Sequence, residues 1–304
     1  MMYRQIDSNK RRTWLLMLVF LVFITLLGLL IGSASGLGYK LVWVAVVIAF
    51  AMNFIAYYFS DTVALVVSGA REIDRLENQE LYRLVENLCI STGLPMPRIY
   101  LIQDSAPNAF AAGRDPQHAV VCVTSGILEK LEKPELEGVL AHEMSHIRDY
   151  DIRLMTIVVV LVGVVALMSD LFLRWTFYSP RGYRRSTSGS GSGQLQIIIL
   201  VVAIVLAALS PIIAKIIQFS ISRKREFLAD AEGALITRYP DGLARALEKI
   251  SADQEPLEVA NKATAHLYFA NPLKGKGQEG FLARMFMTHP PVEERIAALR
   301  AMAI

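Results

Sequence analysis

Lys133-Pro134-Glu135-Leu136-Glu137-Gly138-Val139-Leu140-Ala141-His142-Glu143-Met144-Ser145-His146 carries an HExxH pattern inside a segment suited to a helix. Pro134 fits a first helical turn, Glu135 and Glu137 complement its positive end, and no breaker follows before Asp149. Gly138 weakens the helix slightly. Residues four apart lie one above the other, so His142 and His146 reach the same ion, while Leu136, Leu140 and Ile147 pack from another face. Glu143, next to the first histidine, is placed to take a proton from a metal-activated water. An ordinary surface helix is the competing reading.

Outward from this helix, the chain of 304 residues is more apolar than an ordinary soluble domain, 54% hydrophobic against 19% charged. The excess sits in four runs, residues 14–31, 39–59, 154–173 and 195–217, each near the length that crosses a bilayer. The first is too long for a signal-peptide core. Arg4, Lys10, Arg11 and Arg12 ahead of it keep the N-terminus, and with it residues 60–153, in the cytoplasm. The basic loop 174–193 conflicts with that orientation, which leaves a re-entrant third and fourth run as the alternative. Its Ser/Gly end, residues 186–193, is a flexible linker. The net charge of +3 is too small to suggest a nucleic-acid partner, and no basic stripe carries aromatics, so none is expected. Cys89 and Cys122 are lone packed thiols, with neither a disulfide framework nor a cysteine zinc site.

The expected fold is therefore a mainly α membrane protein: four transmembrane helices and a cytoplasmic α+β zincin-like metallopeptidase domain with a small antiparallel or mixed sheet. Residues 1–59 form the N-terminal transmembrane hairpin and 60–153 the first part of the peptidase domain. Residues 154–220 form a transmembrane or re-entrant hairpin, and 221–304 complete the domain. In the first part, Leu81, Leu84, Val85 and Leu88 recur at helical spacing before a stop at Gly93. Strands follow at Arg98–Ile102, 108–112 and Ala119–Thr124, then a brief helix from Ser125. The second part reads as helices to about Thr237, over 241–250 and from Pro291, with a loop at 275–277. His118 and His266 read as surface residues.

A catalytic zinc needs a third protein ligand and an open position for water. Glu226 in Arg225-Glu226-Phe227-Leu228-Ala229-Asp230 is the best candidate, and Asp230, on the same helical face, can accept the far N–H of a ligating histidine. The competing reading pairs Glu226 and Asp230 with Arg223 and Arg225 on a charged face. His146 lies eight residues before the third run and Glu226 nine after the fourth. Straight helices would put both at roughly 12–13 Å from the membrane, on one side.

HEMSH, ISRKREFLAD after a membrane span and THPPVEERI near the end resemble the HtpX family of bacterial heat-shock membrane proteases. That family is related to the CAAX prenyl proteases and to the gluzincins. The resemblance covers nearly the whole chain. It implies a zinc endopeptidase, multi-pass in the bacterial cytoplasmic (inner) membrane, with its active site facing the cytoplasm. Implied substrates are misfolded or damaged membrane proteins, as part of quality control that overlaps with other membrane proteases. It implies one zinc ion per chain on His142, His146 and Glu226, with Glu143 as base and Asp230 behind a ligand. By the same likeness Asn108, Ala109 and Phe110 belong to an exposed edge strand that binds extended substrate. His289 and Arg295 match positions at the active site, His289 as a donor to the oxyanion. Two rivals stand beside this reading: a CAAX-type prenyl-protein protease, and a catalytically idle zinc-containing chaperone or scaffold.

Overall fold

The computed structural model describes residues 2–35, 38–178, 223–260, 264–272 and 290–302. Two apolar helices open the chain, α1 (Met2–Ser35) and α2 (Tyr39–Tyr58). At Gly28 they come so close that a Cβ would lie 2.3 Å from that of Ala45, and Ala49 and Ala56 continue a buried seam of small residues. Trp14, Leu18, Val22, Leu26, Trp43 and Phe50 stay exposed on the outside. So broad an apolar belt is foreign to a soluble surface.

α3 (Ser60–Val67), the short β1 (Arg71–Glu72) and α4 (Gln79–Thr92) follow. Asn78 caps α4 by accepting the Leu81 N–H at 3.0 Å, and the helix ends at Gly93 as expected. Leu81, Leu84, Val85 and Leu88 are all buried. β2 (Arg98–Ile102), β3 (Ala109–Gly113) and β4 (Ala119–Thr124) complete a mixed sheet of order β1-β2-β4-β3. β2 runs parallel to β4, and both outer pairings are antiparallel. β3 starts one residue later than expected, because the Asn108 N–H is taken by the Thr124 hydroxyl at 2.9 Å.

Alternation along the strands gives the sheet two apolar faces. Ala109, Ala111, Val121 and Val123 point to a core shared with helices from both ends of the chain. Phe110, Ala112, Val120 and Cys122 point to a second core on the opposite face. After α5 (Ser125–Lys130), α6 (Lys133–Arg148) lies in the first core. Its start is held by a capping box in which the Glu132 N–H donates to Glu135 Oε2 at 2.8 Å. Leu136, Leu140 and Ile147 are buried there, as their spacing requires.

The straight continuation of this helix into the third apolar run is not what the chain does. α6 stops at Asp149, Tyr150 turns with φ 60°, and α7 (Asp151–Tyr178) begins. The cause is polar. Asn9 of α1 donates to the Asp149 carbonyl at 2.9 Å, and Asp151 turns its carboxylate back to His146, so the helix end is pinned on both sides. Protein also covers the first turns of α7. Met155 and Val159 pack on the second face of the sheet, and Ile157, Val160 and Leu161 meet Met17, Phe20 and Ile24 of α1. Among the described residues two helices, Gln5–Ser33 and Tyr39–Tyr58, are long and apolar enough to cross a membrane. Residues 179–222, which hold most of the basic loop and the fourth run, lie outside the described residues, as does the 275–277 loop.

α8 (Arg223–Thr237), α9 (Pro240–Ala252) and α10 (Val292–Arg300) close the domain, near their expected bounds. α8 and α9 pack directly on α6, and α10 packs on α9. The second part of the chain thus finishes the core that the first part starts. His266 departs from expectation: it is buried, with Nε2 3.0 Å from the Met155 carbonyl, because its 3-10 turn tucks under α7. His118 is exposed, beside Asp115. Both cysteines are free and buried.

Candidate metal centre

Helix α6 stacks His142 over His146, bringing their Nε2 atoms to 3.1 Å with the rings edge to face. Helix α8 crosses the same face and supplies Glu226. Its Oε1 lies 3.7 Å from His146 Nε2 and its Oε2 3.9 Å from His142 Nε2. One donor atom from each of the three falls within 4.8 Å of the others, so the cluster can hold a metal ion. Two imidazole nitrogens on a tetrahedral zinc stand about 3.3 Å apart, given Zn–N bonds of about 2.05 Å. The two nitrogens and the carboxylate therefore suit such an ion in both chemistry and spacing.

Each imidazole has a carboxylate at its back. His142 Nδ1 lies 2.9 Å from Asp230 Oδ1, and His146 Nδ1 lies 3.0 Å from Asp151 Oδ2. In the neutral ring, a carboxylate facing Nδ1 favours the proton there, which turns the Nε2 lone pair toward the cluster. Both carboxylates carry a buried guanidinium in turn. Arg295 grips Asp230 with two prongs, Nε to Oδ2 at 2.8 Å and Nη2 to Oδ1 at 2.7 Å. Arg225 donates to Asp151 Oδ1 at 2.6 Å. Burial alone would raise these carboxyl pKa values; Arg295 for Asp230 and Arg225 for Asp151 outweigh it and hold both acids below their ordinary range.

The imidazoles respond in opposite directions. Burial pulls His142 down to about 4. Burial pulls His146 down too, but its bond to Asp151 and the charge of Glu226 prevail and lift it to about 9. Burial raises Glu143 to about 7, against the pull of His146 and of a hydrogen bond from the Ala111 backbone.

The structure thus brings His142, Glu143, His146, Glu226 and Asp230 together. Arg295 is wholly buried and meets the centre through Asp230, with Nη1 3.8 Å from Glu226 Oε2. His289 lies outside the described residues. Asn108, Ala109 and Phe110 do border the site on an edge strand, but the exposed edge expected of them is corrected. All three are buried, because residues 268–270 lie along β3. The Phe269 N–H donates to the Ala109 carbonyl at 2.8 Å. Asn108 exchanges two bonds with the backbone of Ala270, Nδ2 to O at 3.0 Å and N–H to Oδ1 at 3.2 Å. Further along the edge, Ala111 serves Glu143, and the Gly113 N–H donates to Thr156 Oγ1 at 3.3 Å. The Phe269 ring stacks edge-on against His142, 5.0 Å between centroids.

Sequence reasoning missed Asp151, Arg225 as its partner, Asn9 and Phe269. Asp151 follows His146 by five residues across a helix break, so helical spacing gave no cue to their pairing. Arg225 stood in the competing reading as a partner of Glu226 or Asp230, and it pairs with neither. For Asn9 and Phe269 the sequence offers no local cue.

A profile of the family described as "Peptidase family M48" matches residues 75–303. The "Protease HtpX homolog" of Dictyoglomus thermophilum is 44% identical over 300 residues, covering 99% of this chain and 94% of that one. The protein of the same name from Tropheryma whipplei strain TW08/27 is 45% identical over 304 residues, covering 99% of each. Its counterpart in Listeria monocytogenes is 43% identical over 308 residues, covering 99% of this chain and all of its own. Among solved structures, S. mikatae Ste24p aligns with a TM-score of 0.47 at 18% identity, over 98% of this chain and 67% of its own. With a family profile over most of its length and relatives of this identity along nearly all of it, the chain belongs to peptidase family M48 and is a membrane metalloprotease.

Proposed function

We propose that the chain is a zinc-dependent endopeptidase of the cytoplasmic membrane that hydrolyses peptide bonds of unfolded or damaged membrane proteins. One zinc per chain is held by His142, His146 and Glu226. The observation that carries this reading is the convergence of three buried donors from two helices, with Glu143 beside them and an edge strand alongside.

Zinc, when bound, supplies a Lewis acid that lowers the pKa of a water and polarises the scissile carbonyl. Glu143 takes the proton of the attacking water and passes it to the leaving amine. Asp230 and Asp151 keep both imidazoles in the ligating tautomer. Asn108, Ala109 and Phe110 bind extended substrate by strand addition once residues 268–270 give way. His289 donates a hydrogen bond to the developing oxyanion, and Arg295 steadies Asp230. The part of the third run beyond its protein-covered opening, and residues 195–217, join α1 and α2 as further spans, with the site on the cytoplasmic side of Lys10, Arg11 and Arg12.

The test uses purified protein in detergent with an unfolded membrane protein as substrate. Cleavage is expected to stop with a chelator, return with zinc, and fall about 10²–10⁴-fold in Glu143→Gln while zinc stays bound. Cleavage that survives chelation, or full activity in Glu143→Gln, overturns the mechanism. Turnover of a prenylated peptide alone points to the CAAX-type reading, and zinc binding without turnover to the scaffold.

A further inference from the structure

Behind His146 the polar chain does not end within the peptidase domain. Asp151 Oδ2 faces His146 Nδ1, and its Oδ1 accepts from Arg225 Nη1 and from Asn9 Nδ2, both at 2.6 Å. Asn9 also donates to the Asp149 carbonyl at 2.9 Å and accepts from Arg225 Nη1 at 3.0 Å through its Oδ1. All of these side chains are buried. Asn9 sits on α1, 142 residues before Asp151, only a few residues ahead of the apolar run that begins at Trp14. Below it, Met17, Phe20 and Ile24 pack on the opening turns of α7, so α1 and α7 leave the centre together.

We propose that Asp151 is the positioning residue for His146, and that Asn9 completes this support, which makes the first apolar helix part of the metal centre. The inference rests on the reading of His142, His146 and Glu226 as metal ligands. The physical case is one of anchoring. A buried carboxylate that serves an imidazole through one oxygen is kept from pivoting by donors on the other. Arg225 and Asn9 both bind Oδ1 here, and Asn9 ties the same carboxylate to the end of α6. Among the described residues Asp230 is held instead by the two prongs of Arg295, and both belong to the peptidase domain itself. The two ligands are thus steadied differently: one from within the domain, the other from the membrane helix.

Full-length protein in detergent, loaded with cobalt(II) in place of zinc, provides the test through metal affinity and the visible ligand-field spectrum. Asp151→Asn is expected to weaken cobalt binding about 10–100-fold and shift the absorption bands. Asn9→Leu is expected to shift the same bands with a smaller loss of affinity. Asn53→Leu is the control: Asn53 ties α2 to α1 through the Met17 carbonyl at 3.2 Å, away from the centre, and should leave both readouts unchanged. Folded Asp151→Asn and Asn9→Leu proteins with wild-type affinity and spectrum would falsify the proposal. So would an Asn53→Leu protein altered as much as Asn9→Leu, since the effect would then be general helix packing. If Asp151→Asn does not fold, Asp151→Glu keeps the charge but moves the carboxylate, and an unshifted spectrum there overturns the proposal equally. His146→Ala separates the premise: if it binds cobalt like the wild type, the ligand assignment itself fails.

Discussion

Gly233 of α8 faces the backbone of His142 so closely that a Cβ there would lie 3.1 Å from the His142 nitrogen and 3.3 Å from its Cα. The two helices touch main chain to main chain at this point. Two turns earlier on the same helix, Glu226 lies 3.7 and 3.9 Å from the two imidazoles. A side chain at 233 must push the backbones apart, because neither can rotate away as a flexible side chain would. Gly233→Ala is therefore expected to cost about 1–3 kcal/mol, and Gly233→Val more. Thermal unfolding with and without zinc measures it, and the loss should be larger in the loaded protein. A Gly233→Val protein with wild-type zinc affinity would show that the crossing does not set the site.

The Asp230–Arg295 pair supports a prediction about stability. Both groups are buried, so Arg295→Met leaves a carboxylate without its counter-charge, at a cost of about 3–5 kcal/mol. Adding Asp230→Asn removes the stranded charge and should restore much of the melting temperature. It should not restore zinc affinity, since the acceptor behind His142 is weaker. Denaturant titrations of the two variants, with zinc content measured alongside, decide the matter. A double variant that melts no higher than Arg295→Met alone contradicts the argument.

The strap along β3 makes a prediction about exchange. The Phe269 amide is protected because it donates to the Ala109 carbonyl. A peptide-like inhibitor that adds a strand to β3 competes for that same carbonyl. Its binding should speed hydrogen exchange over residues 266–271, as read by mass spectrometry. Slower or unchanged exchange with the inhibitor bound would mean that substrate takes another route.

The two thiols give a pH dependence with a definite sign. Burial pushes Cys89 up to about 11 and Cys122 higher still. Thiolate is the reactive form, so alkylation of native protein at pH 8 should be slow and rise about tenfold per pH unit towards 11 for Cys89. Cys122 should react only on unfolding. Rapid labelling of both at pH 8 in folded protein would contradict their burial.

The parts of the site that follow helical arithmetic were legible from residues alone. His142 and His146 stack because they are four apart, and Glu226 and Asp230 do so for the same reason. Three of the four strands were legible within a residue or so, since alternation and turn signals are local; β1, two residues long, was not. What stayed hidden was set by contacts across the chain. Asn9 meets Asp151 over 142 residues, and no periodicity records such a bond. The opening of α7 looked like a lipid-facing span because an apolar residue reads the same under bilayer or protein cover. Phe269 stands in a short irregular segment held by contacts remote in sequence, the Ala109 carbonyl and the Ser68 hydroxyl among them. Tyr150, at positive φ without being glycine, gave no warning of the bend it makes.

The segment seated beside β3 makes the resting centre its own first guest. Under the strand addition proposed above, a visitor has to offer main chain with idle amides and carbonyls, beside the Ala109 carbonyl that Phe269 holds at rest. A well-folded neighbour has already engaged its own amides and brings nothing to exchange. Admission thus depends on how undone the visitor is, and hardly on which residues it carries.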